Sequence, residues 1–322
     1  MEQTYKLIQC EDERDWLNER RKRIGASDVP SVLSISPYKS PLQLYHEFIG
    51  TIEPSFEETK RMRLGKRMEP LMQILYEQRF GVKLYDPGDY TIAVSENYPS
   101  MAATVDRLEE PGRINPAEFK GISEFQSGGY RDGILPEHHH AQAMAQALIT
   151  GGDHATVYAT VGDWEMLLWL LDYLDSREQI AEPAQYAVRV EIHAELAALI
   201  PKACEEFMWR VTKRIEPEAD SSDSCTQTIK RLYAADNGLA RRATDQEADL
   251  ITAVVATGNQ AEAASEAYEE ARNRLRLAMG ECAFIESGRF LVSNKTINRS
   301  GYTSVVKPST YRTLKIKTKK EA

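Results

Sequence analysis

One stretch constrains this 322-residue chain more than any other: Met101–Lys120, MAATVDRLEEPGRINPAEFK. It reads as two short strands, Ala102–Asp106 and Ala117–Lys120, joined by a loop rich in turn formers (Glu110-Pro111-Gly112, then Asn115-Pro116). Side chains alternate along a strand, so Glu118 and Lys120 share one face, and Asp106 closes the first strand. If the two strands pair as a hairpin, Asp106, Glu118 and Lys120 converge. Two carboxylates brought that close oppose each other's ionisation, and a hard divalent cation with oxygen ligands removes the conflict. A lysine beside such an ion adds a positive charge and a proton donor or acceptor. Together these are the equipment for hydrolysing a phosphodiester. The same residues on a solvated strand would be an ordinary alternation of charges, so the surrounding chain has to decide between the two.

Composition narrows the setting. A hydrophobic share of 42% supplies a core for one large or two modest domains. No apolar run reaches the length of a membrane span, and the opening residues, MEQTYKLIQCEDERDW, are too acidic and polar for a secretory leader, so a cytoplasmic setting is expected. Cys10, Cys204, Cys225 and Cys282 are scattered without a CxxC pair, which suggests neither zinc nor a disulfide framework. A net charge of −9 argues against coating DNA with the whole surface, but leaves room for a confined basic cleft. The basic clusters are Arg20 to Arg23, Lys60 to Arg67 and Lys315 to Lys320.

Residues 11–23 read as a helix anchored by Trp16 and Leu17. Gly25-Ala26-Ser27-Asp28 then reads as a turn into a helix start, with Ser27 or Asp28 as N-cap. Free N–H groups there, the Ser27 hydroxyl and the Arg20 guanidinium are able to hold a phosphate. Ser40-Pro41 opens another helix, with Leu42, Tyr45 and Phe48 spaced for burial. Residues 61–80 give a strong amphipathic helix with Met68, Leu71, Met72, Leu75 and Tyr76 as its stripe; Pro70 suggests that it begins or kinks near Glu69. If this helix packs on the Asp106 sheet, Glu69 becomes a third carboxylate. Further strands are expected at Tyr90–Val94, Ala155–Val161, Met166–Tyr173 and Tyr186–Ile192. Residues 121–136 read as a substrate-facing loop, and helices are expected at 137–150 and 194–213. Gln142 is a polar residue among alanines of the first. The consecutive His138, His139 and His140 point about 100° apart on a helix and cannot chelate one ion together. Residues 216–226 (EPEADSSDSCT) read as a linker between a domain at 1–215 and a region at 227–322, the latter a helical hairpin followed by a β-rich tail.

The ordered set of motifs resembles YqaJ-type viral recombinases, relatives of the bacteriophage lambda exonuclease. It consists of Trp16-Leu17-x-x-Arg20, Ile24-Gly25-Ala26-Ser27-Asp28, Ser36-Pro37-Tyr38-Lys39-Ser40-Pro41, Gly65-x-x-x-Glu69-Pro70, Asp106…Glu118-x-Lys120, and Pro136 followed by Gln142. The likeness spans roughly residues 14–213. The resemblance implies a PD-(D/E)xK, restriction-endonuclease-like α/β core, a mixed central sheet flanked by helices. It also implies a Mg²⁺-dependent (alternatively Mn²⁺-dependent) exonuclease with two ions per site. Such an enzyme degrades one strand of duplex DNA from the 5′ end and leaves a 3′ overhang for a single-strand annealing protein, often as a ring-shaped homotrimer.

Carried over by motif, Asp106 and Glu118 are the main metal ligands, with the Phe119 carbonyl and Glu69 contributing. Lys120 positions the attacking water, and Gln142 supports the water or the lysine. Arg20, Ser27 and Thr104 hold the terminal 5′-phosphate. Three departures bear on polarity and end recognition: Met144 stands where a second glutamine is common, His139 where tyrosine is common, and Val105 where a proline often precedes the aspartate. The rival readings are an endonuclease or single-strand nuclease on the same core, and a non-catalytic DNA-binding module.

Overall fold

A computed structural model describes residues 4–53, 60–162, 184–301, 314 and 316. The chain divides into two compact units, Met1–Leu232 and Tyr233–Ala322. In the first, the described elements run β1 (Tyr5–Gln9), α1 (Glu13–Arg20), β2 (Ile24–Gly25), α2 (Val29–Val32), α3 (Pro41–Phe48), α4 (Lys60–Phe80), β3 (Leu84–Tyr85), β4 (Thr91–Ser95), β5 (Met101–Ala103), β6 (Arg107–Glu109), β7 (Pro116–Ile122), α5 (Ser127–Arg131), α6 (Glu137–Thr150), β8 (His154–Val161), β9 (Gln185–Glu191), α7 (Ala194–Lys213) and α8 (Asp223–Leu232). The strands form two sheets, in the orders β1-β4-β5-β2 and β3-β6-β7-β8-β9. Pairs β7–β8 and β2–β5 are parallel and the rest antiparallel. This is the mixed α/β class expected, with its strands shared between two sheets.

Period-two alternation on β7 and β8 sorts residues to opposite faces of the five-stranded sheet. Ala155, Val157, Ala159 and Ile122 join the larger core with Ala141, Met144, Ala145 and Leu148 of α6. Ala117, Phe119 and Tyr158 pack on the other face with Met68, Met72 and Tyr76 of α4. The even-numbered Glu118 and Lys120 therefore face α6. The small side chains of α6 let it lie close against the sheet, and Gly151, in a left-handed conformation, ends it. A Cβ on the next residue, Gly152, would stand 2.4 Å from the Ile114 carbonyl oxygen. Only glycine lets the chain leave α6 beside the β6–β7 loop.

Several expectations need correction. The strand expected at Ala102–Asp106 is broken at Thr104–Asp106, between β5 and β6. Helix α4 runs through Pro70. The missing Pro70 N–H removes one helical bond, but Met68, Met72 and Tyr76 on either side are buried against the sheet and hold the helix together. Asp28 occupies the N-cap of α2, yet neither it nor Ser27 makes a side-chain capping bond, and α2 is only four residues long. Ser40 does cap as expected, accepting from the Gln43 N–H at 3.1 Å. The loop expected at 121–136 contains a capped 3-10 turn and α5.

The stretch 216–226 is partly helical and belongs to the first unit. Cys225 and Thr228 are buried, and the Ser224 hydroxyl accepts from the Ser40 N–H at 2.8 Å and donates to Gln43 at 2.7 Å. The second unit holds α9 (Asp245–Met279), β10 (Phe284–Ser287) and β11 (Phe290–Ser293). Thr244 and Glu247 cap α9 reciprocally. The two helices expected to form a hairpin thus lie in different units. The strand expected at Met166–Tyr173 and most of the basic tail fall outside the described residues.

Candidate active site

The β6–β7 pairing sets Arg107 against Ala117 and Leu108 against Pro116. Continuing that register by one residue places Asp106 across from Glu118. β6 has ended there, and the Asp106 carboxylate takes the place of a ladder acceptor, receiving the Phe119 N–H at 2.8 Å. A strand residue directs its N–H and C=O to the same side, so the Phe119 carbonyl also points toward this open edge. Glu118 is buried. Its Oε1 accepts from Lys120 Nζ at 2.5 Å and from the Gln142 amide at 2.7 Å, and its Oε2 accepts from the Gln146 amide at 2.5 Å. Lys120 Nζ also lies 3.4 Å from the Gln142 carbonyl oxygen. Asp106, Glu118, Lys120 and Gln142 are thus brought together as expected.

The electrostatics show strain between the acids. Burial pushes Asp106 well above the usual carboxylate range; Glu118 and then Glu69 add to the rise, and Lys120 and the Phe119 N–H do not cancel it. Glu69 is also raised, first by burial; Arg107 opposes this, and Glu118 and Asp86 reinforce it. Lys120 loses by burial but gains more from Glu118 and Asp106, so its pKa lies above the ordinary lysine value. Beside it, burial pushes Tyr130 up to about 12 and His139 down to about 3, and the two are hydrogen-bonded through the phenol and Nδ1. The three histidines face different partners: His138 meets the Tyr38 ring edge-on, His139 meets Tyr130, and His140 stacks on His193.

Glu69 approaches from α4 and is tethered to Arg107 at 3.8 Å. Arg107 is buried and also reaches Gln73 at 2.6 Å and Asp86 at 3.1 Å. Among the described residues, no three His, Cys, Asp or Glu side chains stand close enough to hold one ion. Glu69 therefore joins the electrostatic field of Asp106 without completing a three-carboxylate cage. Asp106 and Glu118, with the Phe119 carbonyl between them, remain the oxygen donors best placed for a hard cation.

The expected phosphate-holding residues form a second group. Arg20 lies over the Trp16 ring at 4.7 Å, donates to Ser27 Oγ at 3.2 Å and sits 3.7 Å from Asp28. Asp28 in turn meets Lys39 at 3.3 Å, and Lys39 meets Glu47 at 2.8 Å. Parallel pairing sets Gly25 against Ala102. The chain therefore leaves β2 and β5 at the same end of their sheet, with Ser27 and Thr104 each two residues beyond the paired residue and both exposed. The neighbouring Arg21 and Arg23 are taken up by Glu53 at 2.9 Å and Glu19 at 2.7 Å.

Gln146 and Arg107 escaped the sequence reading. The i, i+4 spacing from Gln142 was the available signal for Gln146, since it puts both amides on one helix face. Arg107 had none beyond its place next to Asp106.

The family profile described as the YqaJ-like viral recombinase domain matches residues 15–153. The matched stretch is similar to that domain. It holds both groups of side chains described above. The Bacillus subtilis (strain 168) protein YqaJ is 25% identical over 223 residues, covering 68% of this chain and 63% of that protein. Protein R354 of Acanthamoeba polyphaga mimivirus is 25% identical over 152 residues, covering 44% of this chain and 27% of that protein. The chain therefore spans less than two thirds of the length of these curated relatives. Among solved structures, the alkaline exonuclease LHK-Exo of Laribacter hongkongensis is similar with a TM-score of 0.44 at 17% identity, over 63% of this chain and 94% of that one. A phage-related exonuclease from Haemophilus somnus 129PT gives 0.42 at 13% identity, over 62% and 99%.

Proposed function

We propose that the chain is a metal-dependent DNA exonuclease serving recombination, which degrades one strand of duplex DNA from its 5′ end and leaves a 3′ overhang. The observation that carries this reading is the buried meeting of Asp106, Glu118 and Lys120 at the open edge of β7. In it, Asp106 and Glu118, with the Phe119 carbonyl and support from Glu69, would hold Mg²⁺ (or Mn²⁺), two ions per site. Bound there, the metal supplies Lewis acidity to the scissile phosphate and lowers the pKa of a water. In the metal-free chain Glu118 and Asp106 hold the Lys120 pKa above the ordinary lysine value. Its amine is placed to orient the attacking oxygen and the phosphate. Gln142 holds Lys120 and Glu118 in register. The phage or prophage origin, cytoplasmic setting, homotrimer and single-strand annealing partner belong to the same reading. Among the described residues no helix is long and apolar enough to cross a membrane.

The test is a linear duplex labelled at either 5′ end, compared with a closed circle, in Mg²⁺ and in EDTA. The reading requires loss of 5′ label on the linear duplex only, and only with metal. Cleavage of the circle would favour the endonuclease, and no cleavage of either would leave a binding module. Arg20, joined to Ser27, is proposed to hold the terminal phosphate. A hydrogen bond to a charged group contributes about 1.5–3 kcal/mol. Arg20→Ala should therefore slow degradation of 5′-phosphorylated ends roughly ten- to a hundredfold and change 5′-hydroxyl ends little. Equal losses on both would remove that role.

A further inference from the structure

Gln146 sits one helical turn beyond Gln142 on α6 and is fully buried. Its amide nitrogen donates to Glu118 Oε2 at 2.5 Å, while its own side-chain carbonyl finds no hydrogen-bond partner among the described residues. A buried carbonyl without a partner costs stability. The neighbours on α6 are Ala143, Met144, Ala145 and Ala147, all buried, and a methionine at 146 would fill the same volume without an unpaired carbonyl, losing only the donor to Glu118 Oε2. Packing alone therefore does not account for a glutamine here. The two oxygens of Glu118 are also treated differently. Oε1 faces the partly exposed Lys120 and Gln142, at 2.5 and 2.7 Å, whereas Oε2 is turned into the core.

We propose that Gln146 is a positioning residue: it reserves Glu118 Oε2 for the core, so that Glu118 presents Oε1 alone to the divalent cation. The inference rests on the cation site proposed above and adds which oxygen serves it. Lys120 and Gln142 are the groups that yield Oε1 when the site is occupied, and Gln146 keeps its hold on Oε2 throughout. Lys120, on leaving Oε1, is free to turn toward the phosphate.

The test compares the full chain with its Gln146→Met variant by calorimetric titration with Mn²⁺ and Mg²⁺, and by thermal melting in EDTA. Partners that orient a metal ligand typically contribute ten- to a hundredfold in affinity. Cation affinity should therefore fall roughly ten- to a hundredfold, while the melting temperature in EDTA falls only modestly, because the lost donor to the buried Glu118 Oε2 is partly offset by removal of the unpaired carbonyl. Unchanged affinity would overturn the inference. So would a variant that fails to fold, since Gln146 would then be structural. In a Glu118→Gln background the additional Gln146→Met change should leave the residual cation affinity where it was; a further fall would mean that Gln146 acts by packing and not through Glu118. A parent chain that binds no cation and cleaves no DNA would take the proposed function down as well. A parent that does both, with Gln146→Met indistinguishable from it, would remove this inference alone.

Discussion

Asp106→Asn is expected to abolish Mg²⁺-dependent cleavage while leaving the fold at least as stable as before. The loss follows from removing an anionic oxygen donor from a site with few of them. Lewis-acid stabilisation is worth several kcal/mol, and about 4 kcal/mol corresponds to roughly a thousandfold in rate. The stability follows from the raised pKa of Asp106, due first to burial and then to Glu118 and Glu69. A folded-state pKa above the unfolded value means that the folded chain binds this proton more tightly. That contribution is complete below the unfolded value of about 3.9 and is lost as pH rises through the folded value. As pH rises past the folded value the wild-type chain loses it, whereas an asparagine carries no charge to bury at any pH. Asn also retains an oxygen to accept the Phe119 N–H. Melting in EDTA at pH 7.5 should therefore give the variant an equal or higher midpoint, and added Mg²⁺ should raise the wild-type midpoint only. Cleavage by the variant within tenfold of wild type would move the catalytic centre elsewhere.

Legibility in the sequence followed the range of the interaction. The alternation Ala117, Glu118, Phe119, Lys120 is local, and by itself it places Glu118 and Lys120 on one face. The ends of α6 and α7 were equally plain, since Gly151 and the apolar spacing of 194–213 are local signals. What stayed hidden depends on contacts that join distant residues. Ser224 looks like linker until it meets Ser40 and Gln43, 184 and 181 positions upstream. Arg107 is an ordinary surface residue until Gln73, 34 positions away, accepts its guanidinium. Gln146 reads as a misplaced polar residue until Glu118, 28 positions away, is seen opposite it. Pro70 shows a local rule overruled: its neighbours' burial on the sheet keeps α4 whole. Thr104 came from the family resemblance alone, whereas Arg20 and Ser27 were also signalled by the turn into a helix start, and the parallel β2–β5 pairing supplies a physical reason for Ser27 and Thr104 sharing one end of the sheet.

Lys120→Met should separate holding the acids together from helping the chemistry. In the parent, Lys120 bonds Glu118 at 2.5 Å, and its pKa is raised because Glu118 and Asp106 outweigh its burial. The sign of the linkage is the same as for Asp106, but its window lies at much higher pH. A raised lysine contributes stability in full below its unfolded value of about 10.4 and loses it only as pH climbs through the higher folded value. Lys120 therefore keeps its charge at neutral pH. Removing one partner of a buried ion pair costs about 3–5 kcal/mol, because the other charge stays buried. The variant should melt well below wild type in EDTA at pH 7.5. Added Mg²⁺ should then raise its midpoint more than it raises that of wild type, since the cation replaces the lost positive charge beside Glu118 and Asp106. Cleavage should not recover with it. Loss of a single charged donor from a prearranged site lowers kcat by roughly 10²–10³, and bound metal does not restore a group that aims the attacking oxygen. Recovery of both stability and rate in Mg²⁺ would reduce Lys120 to a counter-charge, and loss of neither would detach it from the site.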